Sequence, residues 1–224
     1  MSAADNAAAS VRVARVRERI AEAAARAGRD PASVTLVAAT KTVPVERVAA
    51  VVAAGVVDLG ENRAQELIAK APTLVDAPAR WHFLGQLQRN KVRALARWVA
   101  CWQSVDREQL GREIAHRAPG ARVLVEVNLG GEPQKGGCQP SEVAPLVDAL
   151  TAAGLDVSGL MAVPPAGDDP RRWFAQLREL GAHLELAELS MGMTDDFEVA
   201  VEEGATMVRV GRALFGSRAE TPER

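Results

Sequence analysis

The chain has 224 residues, 48 % of them apolar and 25 % charged, which suits a soluble protein of one α/β domain or two small ones. Its formal net charge is −2 and it carries no long basic run, which excludes the electrostatic footprint of a non-specific nucleic-acid-binding protein. The longest apolar run, residues 48–57, is about half as long as a membrane-spanning helix requires, and the first ten residues do not resemble a signal peptide.

The first predicted element is an amphipathic helix, in which apolar residues recur at helical spacing from Val13 to Ala27 before Gly28 ends it. Short apolar strands then alternate with helical segments along the rest of the sequence. The predicted strands cover residues 34–39, 56–59, 81–84, 99–104, 122–128, 157–162, 186–191 and 206–210. The helices that follow them cover residues 44–54, 62–70, 86–98, 107–117, 141–153, 171–180, 195–203 and 212–215.

Eight strands that each precede a helix predict a parallel sheet, because parallel neighbours need a crossover connection. Eight such units favour a closed (β/α)8 TIM barrel with an extra N-terminal helix, and an open doubly wound sheet is the alternative. No linker-like composition interrupts the chain. We therefore predict a flexible N-terminus at residues 1–9, one barrel domain at residues 10–218 and a C-terminal tail at residues 219–224.

Polar residues fall at the carboxyl ends of several predicted strands, which is where barrel enzymes place their active sites. Lys41 is the most informative of them, because it closes an apolar strand in a region that we expect to be largely enclosed. Partial burial lowers the pKa of a lysine, and a neutral amine attacks an aldehyde to form an imine. Taken alone, however, Lys41 is more typical of a structural lysine that reaches from a strand end to solvent.

A candidate phosphate site lies near the end of the sequence, where Gly211 and Gly216 bracket a short predicted helix. A helix N-terminus offers free N–H groups to a phosphate, and barrels often use the loops after strands seven and eight for this purpose. Ser190, at the end of the seventh strand, could add a hydroxyl group. The alternative interpretation of the same spacing is a simple turn bounded by two glycines. No P-loop is present, because no lysine follows Gly216.

The remaining candidates favour structural roles. His82, between Trp81 and Phe83, is typical of a core histidine, and the three histidines are too scattered for a metal site. Asp195 and Asp196 are typical of helix caps. The two cysteines have neither metal-ligand spacing nor the density of a disulfide scaffold, which predicts free thiols and a cytoplasmic location.

Seven ordered motifs give the sequence a resemblance to the pyridoxal phosphate homeostasis family (YggS/PROSC-like proteins), from about residue 11 to residue 217. The motifs are ATKTVP at 39–44, LGENRAQE at 59–66, WHFLGQLQRNK at 81–91, KGG at 135–137, GLMAVPP at 159–165, SMGM at 190–193 and VRVGRALFG at 208–216. The resemblance implies a fold-type III barrel like the N-terminal domain of alanine racemase, with pyridoxal 5′-phosphate (PLP) as its cofactor.

The resemblance also implies which residues bind PLP. Lys41 would hold it as a Schiff base, Asn62 would lie beside the ring, and Arg209 would face the pyridine nitrogen. Ser190, Gly211 and Arg212 would form the phosphate site, the last two through backbone N–H groups. Many relatives have threonine where this chain has Arg212, so a hydroxyl contact from that position is not expected. An arginine does not readily protonate the ring nitrogen, which weakens the electron sink that amino-acid chemistry on PLP uses.

Three functions remain open from these residues. The resemblance favours a monomeric, non-enzymatic carrier that holds PLP, takes part in vitamin B6 homeostasis and delivers the cofactor to apo PLP-dependent enzymes. An amino-acid racemase on the same barrel is the alternative, but it would need a second base, ordinarily a tyrosine, and a closing β-domain. The sequence contains no tyrosine and continues only briefly beyond the last barrel unit. A cofactor-independent, imine-forming aldolase ranks last, because it has no need of a phosphate loop or of Arg209.

Overall fold

The computed structural model describes residues 3–216, and it places eight parallel strands in a closed barrel. Each strand pairs with the next in chain order, and β8 pairs with β1 to close the cylinder. The strands are β1 (Thr35–Ala39), β2 (Asp58–Glu61), β3 (Arg80–Phe83), β4 (Val99–Val105), β5 (Arg122–Glu126), β6 (Asp156–Met161), β7 (Glu188–Ser190) and β8 (Met207–Val210). The predicted (β/α)8 barrel is confirmed, and the open doubly wound alternative is wrong because β1 and β8 pair directly.

A helix follows every strand, and another precedes β1. The helices are α1 (Ala3–Arg26), α2 (Val45–Ala53), α3 (Ala64–Lys70), α4 (Arg89–Leu95), α5 (Glu108–Arg117), α6 (Val143–Ala152), α7 (Pro170–His183), α8 (Phe197–Glu202) and α9 (Arg212–Phe215). The start of α7 illustrates how local sequence sets these bounds. Asp169 accepts the N–H of Arg171, and Pro170 supplies the fixed φ angle that suits the first helical position.

The first helix begins at Ala3, so residues 3–9 form part of it. The flexibility of residues 1–9 stays a prediction. Ala9 is buried, and α1 contacts α2, α8 and α9 across the seam where β1 meets β8. The predicted tail at residues 219–224, and the predicted domain end at residue 218, lie outside the described residues.

The core has two compartments. The larger one fills the space between the barrel and its helices, with Phe174, Phe197 and Leu110 among its fully buried side chains. A smaller cluster fills part of the barrel interior and consists of Val37, Cys101, Leu124, Met161 and Met207. Within residues 3–216, no helix is long and apolar enough to cross a membrane.

The second strand differs from its prediction in a way that matters for the site. The sequence predicts residues 56–59, whereas β2 covers Asp58–Glu61 and all four of its residues are buried. Two carboxylates therefore lie inside the protein, where an isolated charge would be very costly. Asp58 is paired with Arg80 and His82, and Glu61 with Lys70, so each buried charge has a partner from a neighbouring element.

Candidate functional site

A cleft of about 550 Å³ opens at the carboxyl end of the barrel, on the seam between β1 and β8. Its lining includes Lys41, Arg209, Gly211 and Arg212, which are four of the six residues that we predicted for the cofactor site. This first cleft is within the usual size range of small-molecule sites. Asn62 and Ser190 are not part of its lining.

Lys41 lies in the turn that follows β1, and its side chain is exposed. Our expectation that it would be partly buried is wrong, because the strand ends at Ala39 and places residue 41 on the rim of the cleft. Its exposure brings the amine into contact with molecules that enter the cleft.

The backbone on both sides of Lys41 is nevertheless held firmly by a group that we call the Lys70 clamp: Glu61, Glu66 and Lys70. The Lys70 ammonium donates to the carbonyl oxygen of Thr40 at 2.8 Å, to Glu61 Oε2 at 2.7 Å and to Glu66 Oε2 at 2.8 Å. The Thr40 hydroxyl donates to Glu61 Oε2 at 2.8 Å, while Glu66 Oε2 accepts the Thr42 N–H at 2.8 Å.

The Lys70 clamp fixes residues 40 and 42 and so sets the direction in which Lys41 leaves the chain. Thr42 has a φ of +62°, a left-handed conformation that a β-branched residue adopts only under constraint from its surroundings. Sequence reasoning missed the clamp. The spacing of Glu66 and Lys70, four residues apart on one helix, indicates their ion pair, but no local pattern links Lys70 to Thr40.

The predicted phosphate region lies across the first cleft from Lys41. Gly211 precedes α9, and its N–H reaches the Thr194 hydroxyl at 3.4 Å. The N–H groups in the first turn of a helix have no partner within that helix, so they can serve an anion. Arg212 forms an ion pair with Asp195 at the surface, so Asp195 is a charge partner of Arg212, not a cap.

Arg209 is the buried cation of the first cleft, with only 5 % of its surface exposed. It donates to the Ser190 hydroxyl at 2.7 Å and to the carbonyl oxygen of Ala162 at 2.9 Å. Burial lowers the pKa of Arg209 to about 10, which still leaves the guanidinium charged at neutral pH. The side chain therefore presents a fixed positive charge beneath the cleft.

Ser190 is fully buried at the end of β7, and it is not part of the lining of the first cleft. Its hydroxyl donates to Gln103 Oε1 at 2.6 Å, and Gln103 Nε2 lies 2.8 Å from His82 Nδ1. His82 Nε2 in turn lies 2.9 Å from Asp58 Oδ1. Thr194 is the hydroxyl residue that the structure places beside Gly211, and sequence reasoning missed it although it follows the SMGM motif directly.

Asn62 lines a second cleft of about 510 Å³ beside the first, together with Lys91, Lys135 and Gly136. The residue is half-buried, and its N–H donates to Glu61 Oε1 at 2.8 Å. Its role beside the PLP ring stays a prediction. Gly85 packs against its backbone so closely that an added Cβ would lie 2.2 Å from the Asn62 carbonyl oxygen.

Glu126 ends β5 beneath the second cleft, and its Oε2 atom is buried without a hydrogen-bond partner among the described residues. Burial, reinforced by the nearby negative charge of Asp106, raises the pKa of Glu126 to about 7, although Arg209 opposes the shift. The ordinary value is 4.5, so the folded protein binds this proton more tightly than the unfolded chain does. Glu126 therefore costs stability as pH rises from about 4.5 to about 7.

We expect the Glu126→Gln variant to escape this cost. Its free energy of unfolding should exceed that of the wild type by up to about 3 kcal/mol at pH 8, and the gap should close near pH 4.5. Urea unfolding of both proteins across this pH range measures the difference. The contributions of the other titrating groups to the free energy of unfolding are common to both proteins and cancel. Parallel profiles at constant separation would contradict the raised pKa of Glu126.

The sequence of this chain is similar to that of known proteins. The model of the family "Alanine racemase, N-terminal domain" matches residues 11–219. The pyridoxal phosphate homeostasis protein of Pseudomonas aeruginosa is 44 % identical over 216 residues, which cover 92 % of this chain and 94 % of that protein. Its namesake from Aquifex aeolicus is 44 % identical over 221 residues, with 92 % and 97 % coverage.

A solved structure shows a similar fold with the cofactor present. PipY from Synechococcus elongatus, with PLP bound, superposes on this chain with a TM-score of 0.78 and 36 % sequence identity. The superposition covers 88 % of this chain and 100 % of PipY.

Proposed function

The chain belongs to the pyridoxal phosphate homeostasis family, and from this premise we propose that it holds PLP on Lys41 as a Schiff base and takes part in vitamin B6 homeostasis. The observation that carries the proposal is the first cleft, where Lys41, Arg209 and the glycine-led start of α9 meet. The PLP seen in PipY and the names of the curated relatives support the same cofactor.

The residues of the first cleft fit this cofactor chemically. PLP has an aldehyde, a phosphate and a pyridine nitrogen, and the cleft offers a primary amine, N–H groups at a helix start and a buried guanidinium. When bound, PLP supplies an electrophilic aldehyde that a lysine amine can capture. Lys41 provides that amine from the rim, while Gly211 and Arg212 provide backbone N–H groups on the opposite side.

Arg209 favours holding the cofactor over transforming a substrate. Its guanidinium remains charged at neutral pH and has no proton to give readily to the pyridine nitrogen. An unprotonated ring is a weak electron sink, and most amino-acid chemistry on PLP depends on that sink. We therefore propose a carrier and not an enzyme.

A PLP-dependent racemase is the second candidate, because the family model takes its name from alanine racemase. Such a reaction requires a second proton-transfer group on the face of the cofactor opposite the lysine. Tyrosine is the residue that we expect in this role, and the sequence contains none. The racemase is therefore the weaker candidate.

The test is chemical trapping of the cofactor. Incubation with PLP followed by borohydride should fix one pyridoxyl group, and peptide mass spectrometry should locate it on Lys41. Lys91 and Lys135 are matched internal controls, because they line the second cleft. The Lys41→Ala variant should fold normally and lose the visible absorption band of the bound cofactor. The Schiff base on Lys41 would be contradicted if Lys91 or Lys135 were labelled in its place. The carrier function would be contradicted if the wild type racemised amino acids rapidly.

We further propose that the protein acts as a monomer in the cytoplasm and passes PLP to apo PLP-dependent enzymes. The exposed position of Lys41 supports direct transfer, because a recipient can reach the amine without prior opening of the barrel. The test of the transfer is reactivation of an apo-enzyme. The loaded protein should reactivate it faster than an equal amount of PLP that has been released from the protein.

A further inference from the structure

Five polar residues form a continuous hydrogen-bonded chain through the barrel interior. We call this set the interior chain: Arg209, Ser190, Gln103, His82 and Asp58. Each comes from a different strand, and every member is at least nine-tenths buried. The chain starts at the first cleft and crosses the interior between β8 and β2.

The charge of Asp58 sets the direction of the chain from its far end. Burial raises the pKa of Asp58, but hydrogen bonds from His82 and Arg80 lower it by more, so the carboxyl is ionised and can only accept. His82 must then donate through Nε2. At the other end Arg209 can only donate, so Ser190 gives its proton to Gln103 Oε1, and the Gln103 amide nitrogen donates to His82 Nδ1.

This orientation determines what Ser190 offers to Arg209. Because the Ser190 proton goes to Gln103, its oxygen is free to accept from Arg209. The Ala162 carbonyl oxygen accepts from the other terminal nitrogen of the guanidinium. Two contacts thus fix the plane of Arg209, and its unused N–H groups are left for the cleft.

We propose that Gln103 and His82 are positioning residues for Arg209. They hold the Ser190 hydroxyl in the one orientation that lets it accept from the guanidinium, and they keep that guanidinium aimed at the bound cofactor. The inference rests on the proposed function for its relevance to PLP. The orientation of the interior chain itself does not depend on PLP.

The first experiment uses the wild-type protein without cofactor. Nitrogen NMR of the His82 ring should show a neutral imidazole protonated at Nε2 and unprotonated at Nδ1. A ring protonated at Nδ1, whether neutral or as imidazolium, would overturn the proposed direction. This result is independent of PLP, so it stands even if the proposed function fails.

The second experiment compares variants of Gln103 with a matched control. Gln103→Leu removes both the acceptor for Ser190 and the donor for His82, whereas Gln103→Glu keeps the acceptor and requires one proton between its carboxyl group and His82 Nδ1. We expect faster exchange of the Arg209 guanidinium protons and a five- to thirtyfold faster release of PLP, roughly, in Gln103→Leu. Gln103→Glu should show a smaller acceleration of both.

Ser158→Ala is the control, since Ser158 contacts Arg122 and lies outside the interior chain. It should release PLP at the wild-type rate. Wild-type PLP release and wild-type Arg209 proton exchange in folded Gln103→Leu would overturn the positioning role. If Gln103→Leu fails to fold, the same two readouts in Gln103→Glu decide.

Discussion

Replacement of Lys70 with methionine is expected to lower the free energy of unfolding by about 3–5 kcal/mol. The reason is the burial of its partner: Glu61 is completely inaccessible to solvent and would remain as a charge without a counter-ion. The Thr40 carbonyl oxygen and the Glu66 carboxylate would lose the same donor. Methionine keeps the length and the apolar stem of the side chain, so the loss reports the ammonium group.

Urea unfolding measures the effect, with Lys91→Met as the control because Lys91 is a half-buried lysine at the second cleft. The control should change the free energy of unfolding by about 0.5 kcal/mol or less. A Lys70→Met, Glu61→Leu double variant should recover much of the loss, since the uncompensated carboxylate is then absent. A Lys70→Met protein within about 1 kcal/mol of the wild type would contradict the clamp.

Replacement of Gly85 with alanine is the second change with a large expected effect. The new Cβ would lie 2.2 Å from the Asn62 carbonyl oxygen and 2.9 Å from its carbonyl carbon, so one of the two loops must move. Backbone atoms cannot swing aside as a side-chain tip can, and we expect a loss of about 3 kcal/mol in the free energy of unfolding. The displacement should also shift the NMR resonances of the Asn62 amide.

Gly120→Ala separates this overlap from ordinary backbone strain. Gly120 has a φ of +72° and no neighbouring atom within 4 Å of an added Cβ, so it should cost about 1–2 kcal/mol through its left-handed conformation alone. Gly85 shows the opposite combination, with no positive φ and a severe overlap. Equal losses in the two variants, or an unmoved Asn62 amide in Gly85→Ala, would show that the loops yield easily.

The alternation of strands and helices made the barrel predictable, because each buried strand is a short apolar run that local sequence determines. The meeting of Lys41, Arg209 and Gly211 was predictable for the same reason: each follows or ends a strand, and parallel strands present their carboxyl ends on one face. The sequence pattern did not show how deeply each side chain lies in the barrel. Ser190 and Arg209 both lie near strand ends, yet the stagger of the barrel brings them together in its interior.

The other site features that the sequence did not predict also depend on contacts between residues that are distant in the sequence. Gly85 packs against the backbone of Asn62, and no pattern near residue 62 encodes that contact. The exposure of Lys41 depends on the turn that the Lys70 clamp holds. The hydrogen bond between Gln103 and Ser190 joins residues 87 positions apart. Local periodicity predicts the elements, whereas polar contacts across the interior require the closed barrel.

The pairing of β1 with β8, which closes the barrel, has a consequence for synthesis on the ribosome. The first cleft is built from β1 and β8, so its two halves are translated at opposite ends of the barrel sequence. At about 5–20 residues per second, Lys41 leaves the peptidyl-transferase centre roughly ten to thirty seconds before Arg209. During that interval a nascent chain can form β1 and its neighbours but cannot assemble the guanidinium and the helix start opposite the lysine. Under the proposed function, capture of PLP in the complete cleft therefore marks a chain whose last strand has docked.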